Sequence, residues 1–128
     1  MRRYLAVLLA VAFTVSVSSR NIDQPPTGLT IVDWSQIRPE YDRHRHSAFP
    51  NGSGLKTRNR EQQLRASFDG RGFEIQPDYG EWRWGLELIG GKARVTTDKN
   101  RVTYTWDSTL EEWFVNEARG LEHGFTIQ

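Results

Sequence analysis

A chain of 128 residues is one domain in size, and 37% apolar with 26% charged residues, 11 Gly and 5 Pro excludes both a disordered tail and a fibrous repeat. Of the 17 basic residues, Arg2 and Arg3 belong to a leader, and the remaining 15 face 16 acidic ones; without a basic excess, nucleic acid is set aside as a partner. With no cysteine, an exported domain has neither disulfide staples nor a lipid-modified terminus, so its stability must come from a core in which 5 Trp, 6 Phe and 4 Tyr are the obvious packing residues.

Residues 1–19 read as a secretory signal peptide. Arg2 and Arg3 form the positive region, Tyr4 to Val15 a twelve-residue stretch broken only by Thr14, and Ser16 to Ser19 the small residues before cleavage. Twelve residues fall short of the roughly 20 that span a bilayer, which favours a cleaved signal over an uncleaved anchor and limits membrane contact to the leader. Residues 20–28, with paired prolines and no periodicity, read as a linker. A single β-rich domain is expected over residues 29–128.

Leu29 to Val32 is a β-branched run that suits a first strand, and Ile37, Tyr41 and Ala48 suggest one short helix over residues 36–48, with Ser35 as its cap and Pro39 confined to its first turn. Within it, Tyr41 to His46 reads YDRHRH. His44 and His46 could chelate a metal with His123 as third ligand, but Arg43 and Arg45 put positive charge where the cation would sit, which favours a solvated basic patch. Asn51 to Gly54 is a loop and contains a glycosylation sequon.

From Gln62 onward period-two alternation is clear. Leu64, Ala66 and Phe68, a turn at Asp69 to Gly72, then Phe73 and Ile75 predict a hairpin. Trp82, Trp84, Leu86 and Leu88 share one strand face; a tryptophan pair can stack on sugars, yet the continuation into two leucines favours core packing. Ala93 and Val95 begin a strand that turns at Asp98 to Asn100 into Val102, Tyr104 and Trp106. Leu110 to Val115 is apolar on both sides, with Trp113 and Val115 on one face and Phe114 on the other, and so belongs inside a sheet. Asn116 to Gly120 is the last turn, and Leu121, His123, Phe125 and Ile127 complete the pattern. The sum is an all-β domain of about seven strands in antiparallel hairpins, forming a β-sandwich or a strongly twisted sheet. A strand running to the last residue suggests the front of a longer gene product, or a short relative of one.

The segments TRNREQQLRASFDGRGFEIQPD (57–78), WRWGLEL (82–88) and LEEWFVNEARGLEHGFTI (110–127), with IRPEYDRHRHSAF (37–49) as a weaker match, resemble the N-terminal module of large secreted bacterial proteins that carry FG-GAP, integrin α-like repeats. The resemblance implies an exported bacterial module of the secreted or cell-envelope compartment, with no catalytic, cofactor or metal residues to carry over. No FG-GAP repeat with its calcium-loop aspartates occurs in this chain, so propeller functions do not transfer. Pro39 and Phe114, where Tyr is expected, are further departures.

The expectation is therefore a non-catalytic structural or interaction module whose partners are downstream repeats or cell-surface glycans. Its core includes Trp113, Phe125 and Ile127, while Glu111, Glu112, Glu117 and Glu122 face solvent or turns. The alternative is a carbohydrate binder using Trp34, Trp82, Trp84, Trp106 and Trp113, which requires those indoles to be exposed in one row.

Overall fold

The computed structural model describes residues 24–128; the signal-peptide reading and the first part of the linker lie outside the described residues. Within them the protein is all-β with one helix: helix α1 (Ile31–Arg45), then strands β1 (Phe49–Asn51), β2 (Gly54–Asn59), β3 (Leu64–Phe68), β4 (Gly72–Pro77), β5 (Trp84–Glu87), β6 (Arg94–Asp98), β7 (Arg101–Thr105), β8 (Leu110–Glu117) and β9 (Gly120–Ile127). The helix is not long and apolar enough to cross a membrane. Strands β1 to β5 form one sheet and β6 to β9 another, each in sequence order, and every pairing is antiparallel.

The helix occupies the expected region but begins earlier, absorbing Ile31 and Val32 from the anticipated first strand. The local cause is a capping box: Thr30 Oγ1 accepts from the Asp33 amide at 3.1 Å, and the Asp33 carboxylate accepts from the Thr30 amide at 3.3 Å. Two orphan amides satisfied at once outweigh the strand preference of two exposed β-branched residues. Pro39 lies mid-helix rather than in the first turn. It forfeits its own bond to the preceding turn, while the far end is anchored: Ser47 Oγ donates to the Arg43 carbonyl at 2.9 Å, and the Ala48 amide to the Lys99 carbonyl at 2.9 Å. Ile37 and Tyr41, expected on a buried helical face, are exposed; the helix buries only Trp34, whose ring lies 5.4 Å from Tyr41.

The two strands missed by sequence alternation, β1 and β2, form a short hairpin reversing at Gly52 and Ser53, with Gly52 in the left-handed region at φ 61°. The anticipated hairpins are present: Phe68 pairs with Phe73 across the Asp69–Gly72 turn, Asp98 with Arg101, and Glu117 with Gly120. In the first turn, Asp69 Oδ1 accepts from the Arg71 and Gly72 amides. Partial burial alone would raise this carboxyl, but those amides and the Arg71 charge hold it below the usual range.

The sheets pack face to face as a sandwich. Ala66, Phe68 and Phe73 of the first meet Val102, Tyr104 and Phe114 of the second, with Phe114 4.9 Å from Phe68 and 5.0 Å from Phe73 between ring centroids. Tyr104 ties the layers with its hydroxyl, which donates to the Gly72 carbonyl at 2.6 Å and accepts from the Gly70 amide at 3.0 Å. At one end the apolar core gives way to a buried polar seam. Asn116 Nδ2 donates to Thr57 Oγ1 at 2.8 Å and Asn116 Oδ1 accepts from Asn59 at 2.9 Å, which satisfies these amides without water.

Face assignments on β8 invert the expectation. Glu112, Phe114 and Asn116 point inward and are buried, whereas Trp113 lies half-buried on the outer face. Trp113 is registered opposite Gly124, and the Arg101 guanidinium stands 4.9 Å above its ring. A Cβ at Gly124 would lie 2.5 Å from the Trp113 ring. Gly124→Val is accordingly expected to cost about 1–3 kcal/mol by overpacking. Urea denaturation measures this, and adding Trp113→Ala should recover part of the loss.

Candidate functional site

Residues registered opposite one another share a sheet face, so the ladder Thr57–Ala66–Ile75–Trp84 and the ladder Leu55–Phe68–Phe73–Leu86 carry the inward face of the first sheet out to its edge strand β5. In the second sheet Tyr104–Glu112–Phe125 and Val102–Phe114–His123 do the same out to β9. The inward faces therefore extend past the region where the sheets cover each other. Trp84 and Leu86 are each 53% exposed, Phe125 50% and Ile127 80%.

This corrects two expectations. The Trp82–Leu88 face was assigned to the core; its parity is right, since Trp84 and Leu86 do face inward, but the second sheet does not reach far enough to bury them, and Trp82 and Leu88 are exposed beside them. Phe125 and Ile127 were also assigned to the core, and for the same reason they are exposed. What results is an apolar flank between β5 and β9.

Behind the flank lies an aromatic relay. The His123 ring stacks on Phe114 at 4.8 Å with 6° between planes, and sits 5.1 Å from both Phe73 and Phe125; Phe73 in turn meets Trp84 at 5.6 Å. His123, left open between packing and chemistry by its position on the apolar face, is thus a packing residue with one polar contact, from Nε2 to Glu112 Oε1 at 2.8 Å. Glu112 was expected in solvent and is instead buried, its other oxygen accepting from Trp106 Nε1 at 3.0 Å. Two donors compensate a carboxylate that would otherwise be costly to bury.

The remaining histidines lie elsewhere. His44 meets Phe49 edge-on at 5.9 Å, and His46, expected in a solvated patch, is buried with Nδ1 on the Asp42 carbonyl at 2.7 Å and Nε2 on Glu61 at 2.9 Å. For Glu61, burial acts to raise the carboxyl, but the hydrogen bond from His46, a backbone hydrogen bond and the Arg45 charge leave it below the usual range. Among the described residues no group of three His, Cys, Asp or Glu side chains is placed to hold a metal ion, so the three histidines are not brought together.

Nor do the five tryptophans form a row. Trp34 is buried, Trp106 is half-buried on Glu112, Trp113 lies over Gly124 on the outer face, and only Trp82 and Trp84 are exposed together. Glu122 is exposed and paired with Arg119 at 3.1 Å, while Glu111 is half-buried on the face opposite Glu112. Comparison of the chain with protein-family models, with curated protein sequences and with solved structures finds no match.

Proposed function

We propose that this protein is a non-catalytic interaction module of the secreted or cell-envelope compartment, akin to the N-terminal module of FG-GAP repeat proteins, that receives an extended polypeptide strand on its β5–β9 flank. The observation that carries this reading is the exposed inward-facing row Trp84, Leu86, Phe125 and Ile127 beside β9, an eight-residue strand that among the described residues pairs only with β8. A long edge strand with one unpaired row of amides and carbonyls is a template for strand addition, and alternate apolar side chains supply the specificity. The occupant is a partner strand with apolar residues at every second position and polar ones between.

Titration with an octapeptide alternating lysine and valine tests this. Slowed amide exchange in β9 with a change in tryptophan emission supports it, while unchanged exchange over β9 rejects it. Ile127→Lys should abolish the effect, yet change stability by only about 0.5 kcal/mol because the site is 80% exposed.

A second reading rests on Trp82 and Trp84, each 53% exposed: a sugar-stacking pair on the same flank. Quenching of tryptophan emission by neutral oligosaccharides, without β9 protection, would favour it.

A further inference from the structure

The outer face of the first sheet gathers charge that the linear sequence disperses. Lys56 on β2 stands opposite Ser67 on β3, and Arg58 stands directly opposite Arg65. Like charges facing across strands are destabilising unless an anion lies between them. Here one carboxylate serves both: Arg58 Nε and Nη2 donate to Asp78 Oδ2 at 3.1 and 2.8 Å, and Arg65 Nε lies 3.5 Å from Asp78 Oδ1. Arg45, from the end of α1, joins the same face and is paired with Glu61 at 2.6 Å. Lys56 and Arg60 have no acidic partner among the described residues.

These five cations line a groove of about 370 Å³ together with Phe49, which is 52% exposed. Five positive groups against the three carboxylates of Asp42, Glu61 and Asp78 leave the groove net cationic, although the chain as a whole carries a formal charge of only +1. Its volume sits at the small end of ligand cavities, about 300–1,000 Å³. That suits a few linked rings better than a single strand of roughly 4–16 nucleotides. Guanidiniums match planar carboxylates, and Arg58 and Arg65 already share one of the protein's own.

We propose that this groove binds a short acidic saccharide, with ring carboxylates held by Lys56, Arg60 and the outward edges of Arg58 and Arg65, and with one sugar face against Phe49. The site is separate from the β5–β9 flank and stands or falls independently of it.

Calorimetric titration of the full chain with trigalacturonate, maltotriose, hexa-aspartate and a thymidine hexanucleotide tests the proposal. Binding of trigalacturonate, weakening as salt rises and absent for maltotriose, is the expected result. Lys56→Glu combined with Arg60→Glu should weaken it roughly tenfold. The melting temperature should hold, since neither residue has an ion-pair partner among the described residues to lose. Equal or tighter binding of hexa-aspartate or of the hexanucleotide, no binding of trigalacturonate, or binding indifferent to the double substitution would each overturn it.

Discussion

Phe114→Ala is expected to lose about 3–5 kcal/mol, the range for removing a large aromatic from a packed interior. The side chain is 1% exposed, and its ring meets Phe68, Phe73, Tyr104 and His123 within 5.3 Å between centroids. It touches both layers of the sandwich and, through His123, the relay toward the flank. Domains of this size are stable by only about 5–15 kcal/mol, so the variant should unfold at a much lower urea concentration, and far-ultraviolet dichroism gives the midpoint. A midpoint shifted by only a few tenths of a kcal/mol equivalent would mean that the sheets are not joined through Phe114. Phe114→Leu, which keeps most of the volume, should retain the fold and lose less.

Tyr104→Phe isolates the second tie between the layers. The ring stays, but the Gly70 amide loses its acceptor and the Gly72 carbonyl its donor, both in the interior, for an expected cost of about 1–3 kcal/mol. The same hydroxyl sets a pH dependence. Burial pushes its pKa up to about 12, with the charges of Asp69 and Glu112 acting in the same sense and the hydrogen bond to Gly70 against it. Because the native state holds this proton more tightly than the unfolded chain, whose tyrosines titrate near 10, the contribution is complete below about pH 10 and is lost as pH rises toward 12. Stability curves of the parent and of Tyr104→Phe should therefore converge across that window. Parallel curves would show that the buried hydroxyl is not the linked group.

Alternation made the strands from Leu64 to Ile127 legible, because period two is imposed by the pleat itself. How far the opposite sheet reaches was not legible. The Trp84 and Leu86 face has the parity of a core face, and nothing in β5 records that β9 ends its cover there. β8 misled for another reason. Its inner face carries Glu112 and Asn116 beside Leu110 and Phe114, and each polar group is compensated from elsewhere in the chain: Glu112 by Trp106 and His123, Asn116 by Thr57 and Asn59. Hydropathy alone sees two apolar residues on each face, Leu110 and Phe114 on one and Trp113 and Val115 on the other, and gives no ground for choosing between them. The helix start was written locally in Thr30 and Asp33, but a neighbouring β-branched pair masked it. The cationic groove was invisible because Arg58 and Arg65 become neighbours only once the register is known.

The sequence-ordered meander within each sheet bears on how quickly the protein folds. Every strand pairs with its chain neighbour, so each sheet assembles by closing short loops, which keeps contact order low for an all-β chain and favours faster folding than a Greek-key sandwich of equal length. The long-range step is the docking of the sheets. Asn59 and Asn116, 57 residues apart, join only then, so substitutions in that seam should accelerate unfolding and leave the rate of hairpin formation unchanged.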